Sequence, residues 1–316
     1  MKSDHRFWPP LLMVAVIALT PWLGSEIVSP SALADPNELS IFVTFRVPRL
    51  LLGLLAGAAL SIAGCLFQAV LRNPLADPFT LGVSSGAALG AVIVIFLDIA
   101  WIWTGSTLGA MAALGLIASM FIRQRRISAT GLVLAGVSVN SVCASFIILL
   151  QSVSGFAKSF SVTTWLVGSV DSLAYSSLAF YAAVIVPLML WIVWKAPDWD
   201  LLSMGDAWAA GRGVPVRTLL VQACLAGSIL TAATVSLTGP IGFVGLIVPH
   251  LVRHRTGASH RVLIPAVLFC GAAFLATCDA LARTVLRPAE IPVGVITALI
   301  GGPGLIWILR SERSHL

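Results

Sequence analysis

The chain has 316 residues, 58% of them hydrophobic and 10% charged, and its mean hydropathy is +0.99. A soluble domain carries about 25% charged residues, so this composition excludes a soluble globular fold and predicts a polytopic membrane protein. The formal net charge of +6 comes from basic residues in short gaps between apolar runs, not from one solvated face, which argues against a nucleic-acid partner.

The apolar runs are long and continuous rather than alternating, so they predict helices and not a barrel, in a single all-α membrane domain over 1–316. In chain order about ten spans are expected, near 8–28, 47–71, 79–97, 101–122, 131–151, 177–194, 217–237, 243–253, 262–284 and 291–309. Lys2 and Arg6 precede the first, and Ser31-Ala32-Leu33-Ala34 resembles a signal-peptidase site. An uncleaved first helix is preferred, because its removal would unbalance the helix count. With both termini placed in the cytoplasm, fourteen of the 19 Lys and Arg fall inside and five outside, as the positive-inside rule requires.

The five outside are Arg46, Arg49, Lys158, Arg283 and Arg287. Arg46 and Arg49 stand at the mouth of the second span, and Arg283 and Arg287 near the end of the ninth. The charge pattern leaves two readings open: arginines anchored at the lipid boundary, or a basic docking surface for an acidic partner or an anionic ligand. The second span carries a file of small residues, Gly53, Gly57, Ser61 and Cys65, and the third continues it with Gly82, Gly86 and Gly90. Small residues in register let helix backbones touch within a membrane. The two spans are separated by Arg72-Asn73-Pro74-Leu75-Ala76-Asp77-Pro78, a proline-broken polar turn.

The gap over about 199–216 is long enough for two short helices around Gly205, and its Leu, Met, Ala and Trp residues suit a protein partner or an amphipathic segment on the bilayer. Thr238-Gly239-Pro240-Ile241-Gly242-Phe243-Val244-Gly245 interrupts the next helix, and the eighth span is too short for a simple crossing. His250 is read as a packed or interfacial histidine. Asp279 lies within the ninth span with Arg283 one turn later, so an i,i+4 ion pair is expected. Five cysteines, Cys65, Cys143, Cys224, Cys270 and Cys278, fall in apolar stretches without a CxxC pair and are read as packing residues. The sequence contains no G-x-x-x-x-G-K-[ST], no HExxH, no G-x-S-x-G and no clustered metal ligands. No enzyme, cofactor or metal site is therefore expected in this chain, and ATP-driven transport would need a separate ATPase.

Several stretches together resemble the permease subunit of type II ABC importers, the FecCD-type family that takes up iron-siderophores, haem and vitamin B12. They are Arg46-Val47-Pro48-Arg49, Gly57-Ala58-Ala59-Leu60, Arg72 through Pro78, Leu81-Gly82-Val83-Ser84-Ser85-Gly86-Ala87, Leu134-Ala135-Gly136-Val137 and Trp165-Leu166-Val167-Gly168-Ser169. Gly239 through Gly245, Pro249-His250-Leu251-Val252-Arg253, Asp279-Ala280-Leu281-Ala282-Arg283, and Glu290-Ile291-Pro292-Val293-Gly294 through Gly301 complete the set.

The resemblance implies the ten-helix permease fold in the bacterial inner membrane, a second permease subunit forming a homodimer, two cytoplasmic ATPase subunits that bind ATP and Mg, and a periplasmic substrate-binding protein. It places Arg46, Arg49 and Arg283 at the positions that dock the binding protein, and it tips the open reading of those arginines towards docking. It assigns ATPase coupling to Gly205, Asp206, Ala207, Ala209, Ala210 and Gly213, a cytoplasmic gate to Asn73 and Leu75, and pathway lining to Asn140, Ser141 and Ser145. Asp206 stands where the family usually has Glu, and Gly211-Arg212-Gly213 where leucine-glycine is commoner, so a weaker or shifted second short helix is expected. The alternatives are an ion-coupled secondary transporter using Asp279 or His250, and a scaffold membrane protein.

Overall fold

A computed structural model describes residues 8–24, 34–123 and 129–313. Lys2, Arg6, Arg125, Arg126 and Ser31 through Leu33 lie outside the described residues, as does the end of the first predicted span. The described residues are helical with connecting turns and contain no strand. All ten predicted spans correspond to helices: α1 (Trp8–Leu19), α3 (Val47–Leu71), α4 (Val83–Phe96), α5 (Ile102–Arg123), α6 (Ala129–Val153), α8 (Tyr175–Trp194), α11 (Val216–Thr238), α12 (Val244–Thr256), α13 (His260–Thr284) and α14 (Val293–Arg313). Four shorter helices lie between them: α2 (Pro36–Ile41), α7 (Phe156–Val167), α9 (Ala196–Met204) and α10 (Asp206–Gly211). Six of the long helical segments are long and apolar enough to cross a membrane, and the apolar helices at Trp8–Trp22, Val83–Phe96 and Val293–Ile306 are shorter. The chain is thus a multi-pass membrane protein.

α3 is the hub. From Leu52 to Leu71 every residue but Leu55 is buried, in a core built with α8, α9, α11, α12 and α13. Its small residues make this burial feasible. A Cβ at Gly57 would strike the carbonyl oxygen of Gly271 on α13, and one at Gly90 on α4 would strike that of Gly105 on α5. Backbones therefore meet where side chains would hold them apart, the packing that replaces hydrophobic drive inside lipid. All five cysteines are buried and unbonded.

Helix ends follow local chemistry. Pro48 directly follows the π-helical turn Phe42–Arg46, which joins α2 to α3 in one helical run from Pro36 to Leu71. Arg72 ends the helix in the left-handed region, at φ 48°. Asp77 then caps a 3-10 turn over Pro78–Leu81, accepting from Phe79 N at 3.1 Å. Gly82, at φ +80°, turns the chain into α4, and a side chain there would also meet Val139 of α6.

α12 is only 13 residues long, as the glycine- and proline-rich interruption before it predicts. Phe243 enters it at φ 70°, strained for a bulky residue, with its Cβ against Gly301 of α14. The sequence does not predict α7, because its 12 residues are too few for a span. It ends at Gly168, whose carbonyl accepts from Gly294 N at 3.2 Å, while Ser169 N donates to Thr238 O at 2.8 Å. The ends of α7 and α11 and the start of α14 are thereby fastened together.

Candidate functional site

The two ends of α3 carry different chemistry. At its N-terminal end Arg49 meets the last turns of α13. Its Nε and Nη2 donate to Asp279 Oδ1 at 3.2 and 3.0 Å, and its Nη1 donates to Glu290 Oε2 at 2.8 Å. Arg283 Nη2 lies 3.1 Å from Asp279 Oδ2, the expected i,i+4 pair. One buried carboxylate thus joins two arginines that are 234 positions apart in the chain. The side chains grade outward: Asp279 is 3% exposed, Arg283 7%, Arg49 16% and Glu290 43%. Arg46, in the π-helical turn Phe42–Arg46, donates from Nη1 to Pro21 O at 3.1 Å. Of the three arginines named for docking, Arg46 and Arg49 are half-buried, and Arg283 is held inside by Asp279. With both oxygens of Asp279 engaged by guanidinium groups, the geometry gives no support to a free proton-carrying carboxylate there.

At the other end, the polar turn is built from its own side chains. Asn73 Oδ1 accepts from Leu75 N at 2.9 Å, and Asn73 O accepts from Ala76 N at 3.0 Å. Asn73 and Leu75 are exposed. Burial pushes the Asp77 carboxyl up to about 6, against the opposing pull of the Phe79 N–H.

Arg72 connects this turn to the pair α9 and α10. Its guanidinium forms an ion pair with Asp206, the first residue of α10, and its Nε donates to Leu202 O at 3.4 Å. The pair folds around Gly205 as the sequence predicts, at φ +126°. Trp199, Leu202 and Ala209 are fully buried, and Trp199 Nε1 donates to Ile192 O at 2.9 Å. Asp200 ties α9 to the start of α13, accepting from His260 N at 2.6 Å and from Ser259 Oγ at 3.2 Å. Met204 and Trp208 remain exposed, and Arg212 stacks on the Trp208 ring at 3.8 Å. The apolar residues of this segment therefore divide into anchors and an outward patch. Ala207, Ala210 and Gly213 are exposed beside that patch.

The α6 residues separate. Asn140 Oδ1 accepts from Ser85 Oγ at 2.7 Å, and its Nδ2 donates to Phe79 O at 3.2 Å, so it locks α6 to α4 and the 3-10 turn. Ser141 and Ser145 are exposed and donate to backbone carbonyls four residues back. They share the open face of α6 with Leu134, Val137, Phe146 and Leu149. His250 is buried, with its Nε2 3.2 Å from His254 Nε2. Arg253 Nη2 donates to Gln68 Oε1 at 2.9 Å, a tie from α12 to α3 that sequence spacing does not signal.

The FecCD transport family matches residues 11–311. The hemin transport system permease protein HmuU of Yersinia pestis is 37% identical over 283 residues, 87% of this chain and 84% of that protein. The vitamin B12 import system permease protein BtuC of Klebsiella pneumoniae is 33% identical over 316 residues, 96% of this chain and 93% of that protein. A solved structure described as an inward-facing metal-chelate type ABC transporter superposes with a TM-score of 0.88 at 30% identity, covering 97% of this chain and 98% of its own.

Proposed function

The chain belongs to the FecCD transport family as an ABC importer permease, and from that premise we propose that it carries a metal chelate across the bacterial inner membrane into the cytoplasm. The cargo class is an iron-siderophore, haem or cobalamin, in keeping with the hemin and vitamin B12 named for its relatives. Both termini lie in the cytoplasm. Two copies of the chain enclose the pathway, with the open face of α6 towards it.

The observation that carries this reading is the distribution of chemistry along α3. One end holds an arginine cluster with buried support, and the other an exposed polar turn fastened to a short-helix pair with an apolar patch. The arginine end faces the periplasm and receives acidic residues of a substrate-binding protein. The pair α9 and α10 receives a cytoplasmic ATPase through Met204, Trp208 and the flanking small residues. Nucleotide-driven motion of that pair reaches the gate at Asn73 and Leu75 through Arg72. The permease provides a path and not a tight site, since a ligand bound too well would not leave.

Reconstitution with its ATPase and its substrate-binding protein tests the reading. Charge reversal, Arg46→Glu with Arg49→Glu, is expected to lower uptake at least tenfold and to weaken capture of the binding protein. Unchanged capture would remove the docking role.

A further inference from the structure

Arg49 spends its guanidinium in two directions. Its Nε and Nη2 serve the buried Asp279, whereas its outward nitrogen, Nη1, is held by Glu290 Oε2 at 2.8 Å. Glu290 is the most exposed member of the cluster. With Arg49 and Arg283 opposed by Asp279 and Glu290, the four side chains sum to no net charge. An acidic group approaching Arg49 therefore meets a carboxylate already in place.

The backbone near Glu290 is secured independently of that side chain. Ile291 N donates to Ala282 O at 3.1 Å, and Ala289 N donates to Leu286 O at 2.9 Å. The Glu290 side chain can leave Arg49 by rotation alone, while Asp279, enclosed between two arginines, cannot. Glu290 sits at the exposed side of the pair, at 43%, where solvent screens the interaction, so exchanging this carboxylate for another costs little.

We propose that Glu290 is an exchangeable internal carboxylate, resident on Arg49 Nη1 in the free permease and displaced there by an acidic side chain of the docking protein. The proposal rests on the docking reading given above. Its consequence is a deliberately moderated affinity. The resident carboxylate competes with the incoming one and helps expel it after delivery, so that the emptied partner is released.

The test uses the permease–ATPase complex in lipid nanodiscs and, as probe, its purified substrate-binding protein, with affinity read at two salt concentrations. Glu290→Gln and Glu290→Ala are expected to tighten binding by up to about fivefold, the upper end of what a surface ion pair supplies, with slower dissociation and a steeper salt dependence. Equal or weaker binding by both variants, while Arg49→Glu abolishes it in a complex that keeps its assembly and thermal melting, would overturn the exchange and leave docking standing. Full binding by Arg49→Glu would instead sink the docking reading itself.

Discussion

Arg72, the residue that closes α3, is ion-paired with Asp206, the residue that opens α10. The exposed turn and the short-helix pair are thus connected by a charge pair 134 positions apart in the chain. Both partners are more than a third exposed, so the pair adds little to stability.

Arg72→Ala and Asp206→Ala are expected to leave thermal unfolding nearly unchanged but to reduce ATP-dependent uptake several-fold. The swapped pair, Arg72→Asp with Asp206→Arg, is expected to recover part of it. Transport in proteoliposomes decides; equal loss in the singles and the swap would deny the pair a coupling role.

The two tryptophans of the short helices should behave oppositely. Trp199 is fully buried, so Trp199→Ala is expected to cost about 3–5 kcal/mol of stability. Trp208 is exposed, so Trp208→Ala should stay within about 0.5 kcal/mol yet weaken assembly with the ATPase. Thermal scanning and co-purification separate the two effects.

Asp279→Ala leaves Arg283 and the inner edge of Arg49 buried without their carboxylate. Breaking a buried pair this way costs about 3–5 kcal/mol, so the detergent-solubilised protein is expected to unfold at a clearly lower temperature. A shift of less than a degree would show that water reaches the two guanidinium groups.

The carboxyl of Asp77, pushed up to about 6 by burial, titrates above the ordinary range for aspartate, near 4. A group raised in the folded state favours folding at low pH, and that contribution is lost as pH rises through about 6. Asp77→Asn keeps an oxygen for Phe79 N and removes the charge. It is expected to be more stable than the parent at pH 7.5, on the order of 2 kcal/mol, and to lose that advantage near pH 4. Melting temperatures across that range check the crossing.

The spans, the interrupted eighth crossing, the short helices around Gly205 and the Asp279–Arg283 pair were all legible in the sequence. Each depends on local periodicity, turn residues or an i,i+4 spacing. The attachments of Arg49 to Asp279, Arg72 to Asp206 and Asn140 to Ser85 were not, because they are set by which helices lie side by side. That arrangement is decided by backbone contacts at Gly57, Gly90, Gly105 and Gly271, and glycine spacing along one helix does not name the facing helix. α7 is not legible for a different reason: at 12 residues it is too short to register as a span.

α3 is 25 residues long, about 37 Å at 1.5 Å per residue, and buried along nearly all of that length. So enclosed a rod has little room to bend, and any motion it carries would be of the whole helix. A tilt of about 5° displaces one end by about 3 Å relative to the other, the full length of a hydrogen bond. If Arg49 stays fixed as the fulcrum, that swing is enough to part Arg72 from Asp206, and the short helices must then travel with the lever or lose their grip on it.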